Sequence, residues 1–168
     1  MKKKITIIAI AMLASFSAAA QSLNPLNYSG RMYLEAIEIY ETPRYISYED
    51  HAIVNRKSRI PVMQVTKVDM DFGKGTVITD GSELKVKVRT VKKYDTDRGW
   101  VVVLYFDYTE IGDKGELVWP EFGKPYLQEI TQLEGRVTIA RMLLSKTPYA
   151  ATEGEALLDI LQGMGTMN

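Results

Sequence analysis

The chain has no cysteine. This excludes disulfides, a thiol nucleophile and thiolate metal ligands. It has a single histidine, His51, in the polar stretch Glu49-Asp50-His51. One imidazole does not make a zinc site without other ligands converging on it, and nothing local offers a nucleophile for it to activate. Basic residues are not in excess, with 21 Lys and Arg against 21 Asp and Glu, so the electrostatic footprint of a nucleic-acid binder is missing. There is no glycine-rich phosphate loop, serine elbow, internal repeat or low-complexity tract. Long apolar runs are also scarce, and the main one lies at the very start of the chain.

That run, Ile5 to Phe16, is broken only by Thr6 and Ser15. Lys2, Lys3 and Lys4 precede it and Ala18-Ala19-Ala20 follow it. A basic head, a short apolar stretch and a small-residue end predict a cleavable secretory signal over residues 1–20, too short for a membrane anchor. An export signal on a cysteine-free chain points to a bacterial periplasmic or secreted protein, without lipid attachment at the cleavage site. The remaining 148 residues carry 18 basic and 21 acidic groups, a mildly acidic chain long enough for one hydrophobic core.

What the sequence does contain is β-structure, clearest from Thr76 to Trp119. Asp80-Gly81 between two β-like runs is a two-residue hairpin signal, since a type I′ turn needs positive φ at both positions. It pairs Thr79 with Ser82, Val77 with Leu84 and Gly75 with Val86. The next strand alternates, with Leu84, Val86 and Val88 on one face and Lys85, Lys87 and Arg89 on the other, as expected of a strand with one buried face. A loop of Asp95 to Gly99 sets Val88 against Phe106, Val86 against Tyr108, and Lys87 against Asp107 as an ion pair. Trp100 to Phe106 is apolar on both parities, marking the most interior strand. A four-residue turn, Gly112 to Gly115, then places Trp119 opposite Tyr108, and Pro120 ends that strand.

Either side of this meander the signals are shorter. Residues 21–28 read as a flexible leader. Arg31 to Tyr40 fits a strand rather better than a helix, and Thr42-Pro43 ends it. Tyr45 to Tyr48 and Ala52 to Val54 form a possible hairpin, and Asn55 to Arg59 a basic turn. Ile60 to Phe72 is extended, and its mixed parity calls for a bulge or a strand that changes partners. Tyr126 to Leu133 is a strand or short helix, Glu134-Gly135 a turn, and Val137 to Leu144 a final strand. Thr152-x-x-Glu155 is a capping box opening a short helix over 151–163. Its Ala156, Leu157, Ile160 and Leu161 share a face that predicts packing on the domain; residues 164–168 are a tail.

These elements predict a mainly β chain: a single antiparallel β domain over 29–150 with a C-terminal helix packed on it. The order of short strands and tight hairpins resembles the meander of small lipocalin-type barrels. Their early Gly-x-Trp signature is absent, Gly30-Arg31-Met32 standing nearest to it, so no ligand residue carries over. A two-sheet sandwich accounts for the same strands.

Three functional classes follow. The first is an exported, non-catalytic binding protein for a small or apolar ligand, held in a cavity lined by Trp100, Leu104, Phe106, Tyr108 and Trp119. The second is a structural or protein- or glycan-contacting module of the cell envelope. Its contact surface would be the basic patch Lys85, Lys87 and Arg89 with Tyr105, facing an anionic polymer or acidic partner; ten tyrosines suit such a surface as well as plain sheet propensity. The third is a hydrolase using two of Glu110, Glu116, Glu121 and Glu129. No cofactor is expected. Asp69, Asp71 and Asp80 carry too weak a pattern to assign calcium, and neither nucleic acid nor a transmembrane segment is expected.

Overall fold

A computed structural model describes residues 28–42, 48 and 56–165. The expected signal over 1–20, most of the leader, the expected hairpin over 45–54 apart from Tyr48, His51 and the tail's last three residues lie outside the described residues. Eight antiparallel strands follow one another in sequence order around a closed barrel. They are β1 (Ser29–Thr42), β2 (Arg56–Asp71), β3 (Thr76–Thr79), β4 (Ser82–Thr96), β5 (Gly99–Tyr108), β6 (Lys114–Pro120), β7 (Tyr126–Leu133) and β8 (Arg136–Ser145), followed by the helix α1 (Glu153–Gly165). Because β1 pairs with both β2 and β8, the sheet closes on itself, and the sandwich alternative falls. Among the described residues no helix is long and apolar enough to cross a membrane.

The Asp80-Gly81 turn is as expected. Both residues have positive φ, 48° and 84°, and Thr79 faces Ser82 while Val77 faces Leu84. Val86 donates its N–H to the Gly75 carbonyl at 2.9 Å. Val86 is buried and Lys85 and Lys87 are exposed, so the alternation of β4 sorts inside from outside.

The next hairpin reaches its predicted register by a different route. Val88 faces Phe106, Val86 faces Tyr108 and Lys87 faces Asp107, yet the turn is only Asp97-Arg98, with Thr96 opposite Gly99. A bulge at Arg89, between Val88 and Thr90, shifts the ladder by one residue. The tighter turn and the extra residue cancel. The bulge also carries Arg89 to Asp107 at 3.0 Å, so the ion pair at this place is made by Arg89 and not, as expected, by Lys87.

The third turn requires a correction. The loop is Thr109 to Asp113, and β6 starts at Lys114, which sets Trp119 opposite Val102 instead of Tyr108. Gly115 is not a turn residue. It sits in the strand opposite Phe106, and a Cβ at this position would run into the Phe106 ring. Glycine here admits a large ring to the interior.

The basic turn over 55–59 is also corrected. Arg56 to Arg59 belong to β2, paired with Tyr40 to Glu38, because Arg59 finds an outward cross-strand partner in Glu38 at 3.8 Å. The predicted bulge in the following run is real. Leu34 faces Thr66 and Ala36 faces Pro61, so Glu35 alone stands against Val62 to Val65. Lys124 donates to the buried Glu35 carboxylate at 2.6 and 2.8 Å.

The capping box forms. Glu155 accepts from the Thr152 N–H at 2.7 Å, and the Glu155 N–H donates to Thr152 Oγ1 at 3.3 Å. The helix runs past Gly163 to Gly165, and its expected apolar face does not pack as predicted. Leu157 and Leu161 are 58% and 56% exposed. Polar contact turns the helix the other way: Arg59 donates to both oxygens of Asp159 at 2.8 and 2.7 Å. The preceding chain joins β2 through the Ala151 N–H, which donates to the Val62 carbonyl at 2.7 Å.

Candidate functional site

Parity and register fix which side chains point into the barrel. Its lower half, the end bearing the N-terminus of β1 and the β4–β5 turn, is filled. Leu104 and Phe106 have no exposure and Tyr108 has 1%. Phe106 lies 5.3 Å from Phe72 and 5.2 Å from Tyr108 between ring centroids. Tyr28 meets Trp119 edge-on at 5.1 Å across that end. Of the five expected lining residues, Leu104, Phe106 and Tyr108 therefore belong to the packed layer and Trp119 joins its lower rim. Trp100, near the β4–β5 turn, is partly exposed with Lys93 over its ring at 6.0 Å.

The upper half differs. Leu127 and Leu144 are buried inward residues of β7 and β8. Residues on the same faces further up are Glu129 and Thr131 on β7, and Met142, Ala140 and Thr138 on β8. All five keep intermediate solvent exposure, as do Ile37 and Ile39, which face Met142 and Ala140 from β1. Inward Ile60, opposite Ile37, is 51% exposed. Inward side chains thus reach solvent toward this end of the barrel. The wall is also low on one side. β3 reaches β2 only over Val68 to Asp71, so above Lys67 the β2 edge has no strand from β3 beside it. This notch opens beside Ile60, with exposed Met63 and Val65 at its lip.

An acid pair stands on the floor of this half-open space. Glu129 faces Gly115 across β6, and its carboxyl lies within electrostatic reach of Asp113 in the β5–β6 loop. Thr131 donates to Asp113 Oδ2 at 2.7 Å. Burial first, then the neighbouring Asp113, hold Glu129 above the usual carboxylate range. Tyr108 closes the floor. Burial, then the charges of Glu129 and Asp113, push its phenol well above its ordinary value.

The outer wall carries other chemistry. Arg141 lies between the Tyr40 and Tyr126 rings, 4.8 and 4.5 Å from their centroids. It donates to Gln128 Oε1 at 3.2 and 3.0 Å. Gln128 donates to the fully buried Glu116 at 3.3 Å, and the Tyr48 N–H reaches the same Glu116 oxygen at 3.0 Å. Burial pushes the Tyr126 phenol up to about 12. Tyr40 donates to Glu38 at 2.7 Å, and Glu38 faces Arg59, so polar contacts cross the wall from α1 to the β1–β2 connection. The row is joined end to end by contacts between protein groups, which makes it a brace.

The basic patch is split by depth. Lys85 and Lys87 are exposed, Lys85 lying 3.4 Å from Glu83. Tyr105 is 5% exposed, shares a 2.8 Å hydrogen bond with Tyr94, and has Arg89 and Lys92 over its ring at 6.0 and 5.9 Å. The acids considered for hydrolysis do not converge. Glu116 and Glu129 point to opposite faces of the wall by strand parity, Glu121 accepts from the Trp100 N–H at 3.1 Å, and Glu110 is exposed in a loop. Asp69 is paired with Arg31 at 2.7 Å, and that contact holds it below the usual carboxylate range. Among the described residues no group of three or more acids and histidines could hold a metal ion.

Asp113 and Thr131 are the site residues that sequence reasoning missed. The available signal was Glu129, an ionisable residue on the inward parity of a strand that also carries Leu127. No protein-family model, curated protein or solved structure matches the chain.

Proposed function

We propose that this chain is an exported, non-catalytic binding protein that takes a small, mainly apolar guest into the upper half of its barrel. One observation carries this reading: Ile37, Ile39, Thr138, Ala140 and Met142 point inward and retain solvent access, while the layer below them is full. Ligand pockets are concave and mostly apolar with a few placed polar groups. Here aliphatic side chains form the wall and the acid pair supplies the polar point. The notch beside β3 gives a way in. Export rests on the basic, apolar and small-residue order of residues 1–20, which is the pattern of a cleavable signal.

The test is a fill-in variant. Ala140→Trp projects a large ring into the open half without touching the packed layer. Titration with the neutral fluorophore N-phenyl-1-naphthylamine should give saturable enhancement with the native chain and at least a ten-fold weaker response with the variant, at unchanged far-ultraviolet circular dichroism. No saturable response from the native chain, or equal responses from both, overturns the reading.

A further inference from the structure

Nine large hydrophobic side chains among the described residues are exposed, and eight of them stand toward the upper end of the barrel. Ile60, Met63 and Val65 lie on the part of β2 that β3 leaves unpaired. Ile111 is in the β5–β6 loop, and Leu133 ends β7. Leu157, Leu158 and Leu161 belong to α1, which packs on β2. The ninth, Phe122, is at the opposite end, in the β6–β7 loop. Exposed apolar residues scattered singly are ordinary, whereas a collection at one end marks a contact surface. The attachment of α1 is a second observation. Arg59 holds Asp159 through both carboxylate oxygens, and the Ala151 N–H is given to Val62. With Asp159 held to the wall, the three leucines are left more than half exposed.

We propose that the upper end of the barrel docks on a zwitterionic lipid bilayer, with Ile111, Leu133 and the α1 leucines entering the boundary between headgroups and acyl chains. The apolar side chains come from four segments and are divided by exposed polar neighbours, Gln64, Glu110 and Glu134. They are separate points around one end of a cylinder. An extended peptide or a partner helix needs a continuous edge or groove, whereas a bilayer is broad and yields around each point. The charges choose the lipid. α1 carries Glu153, Glu155 and Asp159 and no Lys or Arg, so it lacks the basic face that draws amphipathic helices to anionic headgroups. Exposed charges elsewhere at this end are of both signs, among them Glu110 and Glu134 with Lys67, Lys114 and Arg136. A second copy brought face to face would set the acids of the two α1 helices against each other. The contact surface is also continuous with the inner wall. Ile60 faces Ile37, and Met63 and Val65 lead from it to the outside. An apolar guest therefore passes between acyl chains and barrel without crossing water. This exchange rests on the upper half being a binding site; the docking does not.

Co-sedimentation of the folded chain, processed at the expected signal, with dioleoylphosphatidylcholine vesicles tests the docking. The native chain should partition onto them, and no more tightly when about a quarter of the lipid is dioleoylphosphatidylglycerol. Leu133→Glu and Leu157→Glu, both at exposed positions, should each weaken partition by about five-fold or more, and the double variant should lose it. Phe122→Glu, at the other end, should stay within about two-fold of the native chain. Far-ultraviolet circular dichroism and the response to N-phenyl-1-naphthylamine in vesicle-free solution should be unchanged in every variant, which separates docking from the guest site. The rate of dye transfer from chain to vesicles should rise with vesicle concentration for the native chain and not for the double variant. No partition of the native chain, or equal partition of the native chain and the double variant, overturns the docking and leaves the binding reading standing. Partition that requires the anionic lipid, or that falls equally in Phe122→Glu, also overturns it. A concentration-dependent dimer in sedimentation velocity that the double variant abolishes overturns it too, assigning this end to a second copy. Vesicle binding without any dye response supports the docking and overturns the binding reading.

Discussion

Along β8, Leu144 has no exposure, while Thr138 and Ala140 on the same face keep contact with solvent. On the neighbouring strand, β1 repeats the contrast, with Met32 and Leu34 buried and Ile37 and Ile39 partly exposed. The same strands thus build a fully buried half and one whose inward side chains keep partial exposure. Side-chain volume decides the difference. The lower half receives Phe72, Phe106 and Tyr108 plus the Tyr28–Trp119 contact, whereas at the top β7 and β8 contribute Thr131, Thr138 and Ala140. A closed wall of fixed circumference is filled only by large residues. Where the strands supply small ones, room is left.

The contrast can be broken most severely from below. Phe106→Ala should cost about 3–5 kcal/mol, because it removes a fully buried ring and leaves a void that the closed wall cannot collapse; urea unfolding measures it. Gly115→Val should cost about 1–3 kcal/mol by forcing the Phe106 ring aside, and combining it with Phe106→Ala should cost less than the two added, since the clash disappears with the ring. Ala140→Leu, in the open half, should stay within about 0.5 kcal/mol of the native chain, as a surface change would. A cost comparable with that of Gly115→Val would mean that the upper half is as tightly filled as the lower.

A pH series sharpens the comparison further. The native Glu129 holds its proton more tightly than the unfolded chain does. Between the unfolded and the folded pKa the folded state therefore binds more protons, so stability is highest below the ordinary carboxylate range and falls as pH rises through it to the raised value. Glu129→Gln should flatten this fall. An unchanged slope in the variant, followed by thermal melting from pH 4 to 8, would remove the tightly held Glu129 proton from the account.

Much of this fold was legible from local pattern. Asp80-Gly81 and the alternation of Leu84, Val86 and Val88 set the inner face of β4, because both signals act over two to four residues. The register of β5 was also legible, although through two errors of opposite sign: the turn is shorter than its polar composition indicates, and Arg89 is an extra residue that nothing in its neighbours marks as a bulge. Gly115 misled for a physical reason. A glycine that accommodates a ring and a glycine that bends the chain look alike in sequence, and Phe106 lies on another strand. The same holds for Asp113 and Glu129. Their contact depends on the β6–β7 pairing, which no motif specifies. The leucines of α1 have helical spacing, yet the Arg59–Asp159 pair, which joins distant stretches of chain, decides which way the helix turns.

Seven of the eight seams join strands that are neighbours in sequence, and the eighth brings β8 back to β1. There Arg141 meets Tyr40, 101 residues away along the chain. Loop-closure entropy makes such a contact the slowest to be rewarded during folding. The guanidinium held between two tyrosine rings thus behaves as a clasp fastened after the cylinder has been wound. Arg141→Ala should accordingly hasten unfolding far more than it slows refolding, leaving the meander to assemble at its native pace and only the final closure to come loose sooner.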